Sequence, residues 1–175
     1  MTPRRRADKI ERRDLSPLSP QHKVRRLSRK VIRGFDPKAL TDLRRSRGLS
    51  AGELGRVAGV SENAIRYWES STSSPQIDKL VAVLRVLEAP VSAVVAIDRS
   101  DALLSDLRIL AGLTQPELAA AAGIPTSTLA ALERGHRPLP ESSAGALAVA
   151  LGVAGDDVRA AYERTRTQPP RITRS

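Results

Sequence analysis

Slid against itself by 64 positions, the sequence matches over the length of a domain. "LTDLRRSRGLSAGELGRVAGVSENAIRYWE", from Leu40, lies over "LSDLRILAGLTQPELAAAAGIPTSTLAALE", from Leu104. Identical pairs include Leu40/Leu104, Asp42/Asp106, Arg44/Arg108, Gly48/Gly112, Glu53/Glu117, Ala58/Ala122, Gly59/Gly123 and Glu69/Glu133. The offset continues through Val83/Leu147, Leu87/Leu151 and Val94/Val158, so the repeating unit is about 60 residues long. A tandem duplication of this period requires two copies of one small fold, each with its own core.

What those cores are made of follows from the side chains available. Aromatic residues supply only 2% of the chain, so the interior is built from Ala, Val, Leu and Ile, which favours close-packed helices over a sheet. The fold class expected is all-α. Four segments follow: a basic arm at 1–34, expected to be partly disordered; helical units at 35–98 and 99–164; and a disordered tail at 165–175.

Each unit reads as five short helices. Gly48 stops the first with a residue that accepts positive φ. Ser50 with Glu53, and Thr114 with Glu117, form capping boxes that start the second helix of each unit. Gly59 ends that helix after barely two turns, and Ser61 caps the next. Gly55 and Ala119 stand where two helices approach most closely. Leu54, Ala58, Val60, Ile65 and Trp68 form one buried stripe; Leu118, Ala122, Ile124, Leu129 and Leu132 form its counterpart. Because Leu132 stands opposite Trp68, the tryptophan reads as core and not as a platform for stacking bases.

Several functions are excluded by inventory. With no cysteine there is no disulfide, thiol nucleophile or zinc finger. The two histidines, His22 and His136, lie far apart in sequence and make no metal site, and no nucleophile motif or phosphate loop appears, so neither an enzyme nor a cofactor is expected. The longest apolar stretch, 80–97, contains Arg85, Glu88 and Pro90 and cannot span a membrane. Residues 1–34 carry 12 basic and 3 acidic side chains of a total net charge of +10, which suits a polyanion such as nucleic acid. The expected location is the cytoplasm, on the nucleoid. No sensing domain is expected after residue 164.

"RGLSAGELGRVAGVSENAIRYWE" and "AGLTQPELAAAAGIPTSTLAALERG" resemble the Cro and lambda-repressor type of helix-turn-helix, also called the XRE or Cro/cI family. The resemblance covers roughly 37–97 and 101–163, and the tandem arrangement is similar to phage or mobile-element repressors. It implies a sequence-specific, double-stranded DNA-binding transcriptional regulator, a repressor by analogy.

Helical spacing puts Glu62, Asn63, Arg66 and Tyr67 opposite the buried Ile65 and Trp68. In the family that side enters the major groove. Asn63 can pair with adenine, Glu62 can accept from cytosine, Arg66 can reach guanine or phosphate, and Tyr67 can reach phosphate or a thymine methyl. A solvated face with an i,i+4 ion pair between Glu62 and Arg66 is the bland alternative. In the second unit the matching positions are Thr126 and Ser127, then Ala130 and Ala131, which reach less far. Gln115 matches the family residue that grips phosphate, and Arg134, His136 and Arg137 follow where the family's loop runs beside the backbone. Arg25, Arg26, Arg29, Lys30 and Arg33 are further phosphate candidates, and Arg4, Arg5 and Arg6 are candidates for the minor groove. The pairs Arg44/Glu69 and Arg108/Glu133 fall where the family carries a partly buried salt bridge, and are read as architecture.

The alternative is an antitoxin-like or adaptor protein whose second unit dimerises or binds a protein partner, such as RNA polymerase or a regulator. A monomer on an asymmetric operator is favoured; a homodimer through 155–166 is the competing arrangement.

Overall fold

The computed structural model describes residues 31–168. Nine α-helices run through them: α1 (Pro37–Ser46), α2 (Ala51–Ala58), α3 (Glu62–Glu69), α4 (Ile77–Val86), α5 (Leu104–Leu110), α6 (Gln115–Ala121), α7 (Thr126–Leu132), α8 (Glu141–Leu151) and α9 (Gly155–Thr167). No strand occurs among the described residues beyond one isolated antiparallel bridge, Phe35 to Val95. The fold is all-α, and the repeat is visible as two separate apolar clusters.

The helix boundaries follow from the side chains at them. Asp36 accepts from the backbone N–H groups of Lys38 and Ala39 and starts α1. The Ser50 hydroxyl accepts from Glu53 N while Glu53 Oε2 accepts from Ser50 N at 2.8 Å, and Thr114 with Glu117 repeats the exchange at α6. Ser61 accepts from Ala64 N at 3.2 Å to start α3. Gly59 ends α2 at φ +66°, in the left-handed region. At Gly55 only a missing side chain fits, because a Cβ would stand 2.5 Å from the Val60 carbonyl oxygen. That close approach is what lets α2 and α3 turn so sharply.

Leu40, Leu54, Ile65, Leu80, Val83 and Leu87 are fully buried in the first core, and Leu104, Leu118, Leu129, Leu132, Leu147, Val158 and Ala161 in the second. Trp68 is buried with the first set, as its leucine counterpart predicts. Each fully buried Leu, Ile or Val among them contributes about 1.5–3 kcal/mol by leaving water.

The two copies differ at their ends. The second unit has its five helices, but the first has four; the stretch matching the start of α9 makes only a 3-10 turn at Val91–Ala93. Val91, Val94 and Val95 are buried in the first core there, and β-branched side chains suit an extended backbone. The chain instead runs extended beside the segment before α1: Asp36 N donates to Val94 O and Ala96 N to Gly34 O, both at 2.8 Å. Gly34, at φ +72°, makes this possible, since a Cβ would lie 2.3 Å from the Ala96 oxygen. Ile32 is buried in the first core, so that unit begins before the boundary expected at 35.

Candidate nucleic-acid interface

Every outward residue expected on α3 is exposed: Glu62, Asn63, Arg66 and Tyr67. They share one face because Ile65 and Trp68 anchor the other in the core. Tyr67 is half exposed on that face. Arg66 donates through Nε and Nη2 to Glu62 Oε1, at 2.8 and 2.6 Å. The Glu62 carboxylate also lies over α2, where a Cβ on Gly52 would sit 3.0 Å from Oε2. The bland i,i+4 pair therefore forms, and it leaves the far edge of the guanidinium, Nη1 and the second Nη2 hydrogen, pointing away from the protein's own carboxylate. Both side chains remain largely exposed, so screening keeps the pair weak and exchangeable.

The corresponding face of α7 is shallower. Thr126 and Ser127 are exposed, whereas Ala130 and Ala131 are half-buried. Past the helix, Arg134, His136 and Arg137 are exposed on a loop that is held in place from behind. Tyr162 Oη donates to the Arg137 carbonyl at 2.6 Å, and Gly135 packs its backbone against Arg166 of α9. Sequence reasoning missed this support; a tyrosine in a helix otherwise poor in aromatics was the available signal.

Two residues expected to grip phosphate are engaged inside the protein. Gln115, half-buried at the start of α6, donates through Nε2 to Glu133 Oε2 at 2.6 Å, which joins it to the Arg108 network. Arg33 lies 2.8 Å from Asp106 Oδ2 and also donates to the Asp101 carbonyl at 2.9 Å. Arg25, Arg26, Arg29, Lys30, Arg4, Arg5 and Arg6 lie outside the described residues.

The two salt bridges stand where expected. Arg44 donates to Glu69 through Nε and Nη2, at 2.6 and 2.8 Å, and through Nη1 to the Leu49 carbonyl. The hydrogen bond to Glu69 raises the Arg44 pKa above its ordinary value, against the opposing effect of burial. Arg108 bonds in the same way to Glu133 and the Leu113 carbonyl, but deeper: its side chain is 3% exposed against 11% for Arg44. In both units the pair ties the first helix to the end of the third and so fixes the tilt of the exposed face.

Family comparison falls on the same two stretches. One helix-turn-helix model matches residues 40–93, and a second helix-turn-helix domain model matches residues 102–161. The chain is a tandem helix-turn-helix protein. A Methanocaldococcus jannaschii protein provisionally named an HTH-type transcriptional regulatory protein is 36% identical over 56 residues. The match spans 32% of this chain and 18% of that protein's length. Among the described residues of the tandem helix-turn-helix protein, no group of metal-ligating side chains is present and no helix is long and apolar enough to cross a membrane.

Proposed function

We propose that the tandem helix-turn-helix protein is a sequence-specific DNA-binding transcriptional regulator acting as a repressor, in which α3 reads bases and α7 makes a second, weaker contact on an asymmetric operator. The observation that carries this reading is the α3 face. Two helix-turn-helix matches coincide with an exposed array of an amide, a guanidinium and a phenol on a helix whose other side is locked in a core. Those groups match base edges and phosphates, and the exposed loop cations Arg134, His136 and Arg137 suit the adjacent backbone. A protein with this task works inside the cell, where its DNA is. Selection from a random duplex pool tests it: the expected result is one enriched, non-palindromic motif, and no enrichment would overturn it.

A second reading has its own observation. Residues 100–164 carry 5 basic and 8 acidic side chains, and the α7 face is short, which suits a docking role for the second unit. In that case enrichment would come from the first unit alone, and a protein partner would bind the second.

A further inference from the structure

The two units are joined by more than the connecting chain. Ile97, just before the 3-10 turn at Arg99–Asp101, packs against both apolar cores. Ile109 and Leu110, from α5 of the second unit, pack against the core of the first. Gly112, at φ +71°, brings its backbone to the same place: a Cβ there would stand 3.1 Å from Val81 Cγ2 and 3.6 Å from Val91 Cγ2. An apolar seam therefore runs between α4 with its following turn and α5.

Arg33 closes this seam with charge. Its guanidinium reaches across from the opening segment of the first unit to the Asp106 carboxylate and the Asp101 carbonyl of the second. Asp106 is nearly buried, with its side chain 6% exposed, and its Oδ2 also accepts from Leu103 N at 2.9 Å at the start of α5. A carboxylate at that depth is poorly hydrated and poorly screened, so its cation partner matters more than in a surface pair. The backbone on either side of Arg33 is fixed to the first unit. Ile32 is in the core with its N–H donated to Ser74 Oγ, and Gly34 is pressed against Ala96. Arg33 Nε is buried without a hydrogen-bond partner, so the residue accepts a local cost to be where it is.

The repeat keeps the aspartate at position 106 but changes its partner. Its counterpart Asp42 pairs with Lys38, four residues earlier, on an exposed helix surface. The residue equivalent to Lys38 is Ala102, which removes the local partner and leaves Asp106 to Arg33.

We propose that Arg33 is a positioning residue for recognition: by clasping Asp106 it locks the two units into one body, so that the protein selects the spacing between the two halves of its site as well as their sequence. This rests on the reading of α3 and α7 as DNA-facing. Inserting one base pair between half-sites moves them apart by about 3.4 Å and rotates one by roughly 35° about the duplex. A locked pair cannot follow that change, and one of its heads no longer reaches its half-site.

The test uses the full chain and the variants R33M, R33K and D106N; D106N removes the charge while keeping an oxygen to accept from Leu103 N. Off DNA, residual dipolar couplings should fit one alignment tensor for both units in the parent protein and two in R33M and D106N. On DNA, adding or removing one base pair between the halves of the selected site should weaken the parent about tenfold or more, the size of one mismatched pair. The same change should weaken R33M and D106N by less than about threefold, with R33K restoring most of the discrimination. Unchanged spacing discrimination in R33M and D106N, or a single tensor in both, would overturn the proposal. So would an equal loss of R33M affinity at every spacing, which is the behaviour of a residue that grips phosphate. Should the parent protein select no DNA sequence at all, the functional reading falls, while the tensor comparison still decides whether Arg33 locks the units.

Discussion

Arg44 and Arg108 occupy equivalent places and sit at different depths, and that difference has a measurable consequence. Replacing Arg108 by Met takes the cation from a Glu133 carboxylate that water scarcely reaches, although the Gln115 amide still donates to it, at an expected cost of up to about 3–5 kcal/mol. Replacing Arg44 by Met leaves Glu69 closer to solvent and should cost less. Urea unfolding of the two variants measures this, and equal or reversed losses would contradict it. On the exposed side, Asn63→Ala or Arg66→Ala should each lose about 1–3 kcal/mol on the selected site and relax preference at one or two base pairs. Thr126→Ala and Ser127→Ala should lose less; equal effects in the two units would count against the first as the main reader. The outward set on α3 was legible in the sequence because it depends only on helical period and an apolar anchor. The inward turn of Gln115 and the reach of Arg33 were not, since each depends on a partner 18 or 73 residues away, Glu133 and Asp106 respectively. Only the change from Lys38 to Ala102 hinted that Asp106 had lost its neighbour.

The capping boxes control where each helix-turn-helix begins, and they titrate. Hydrogen bonding from Ser50, its hydroxyl first and its backbone N–H second, holds the Glu53 carboxyl below the usual carboxylate range. At Glu117 the Thr114 backbone N–H leads, the hydroxyl follows, and Arg85 across the seam adds to the effect. A folded-state pKa lower than the unfolded one means stability that is complete above the unfolded value, about 4.3, and is lost as pH falls through the folded value. Glu53→Ala should therefore lower the melting temperature at pH 7, with the gap to the parent protein closing as pH drops below about 4. A gap independent of pH would show that the cap works without its charge. The capping motifs, the glycine at the tight turn and both buried stripes could be read from spacing alone. The missing fifth helix of the first unit could not: the valine-rich stretch after Pro90 pairs with residues 34–36, and that pairing is invisible to local propensity.

At the scale of the molecule, the proposed DNA-binding role turns on charge and duplication. Residues 1–30 hold 11 basic and 3 acidic side chains, and removing them leaves Ile32, Arg33 and Gly34 in place to close the first unit. The plot of log K against log salt should then flatten by roughly 0.9 for each phosphate that the arm had neutralised, with the selected sequence unchanged. An unaltered slope would show that the arm does not touch the backbone. On the proposed function, two heads in one chain would need no dimer, because the chain presents two unlike faces held by a shared seam. A two-fold dimer demands a palindrome, whereas under the proposed reading Glu62, Asn63, Arg66 and Tyr67 beside Thr126 and Ser127 would select two different half-sites. The mass of the complex on the shortest selected duplex tests this claim most directly. One chain per duplex on a non-palindromic site is the predicted result, and two chains on an inverted repeat would contradict it.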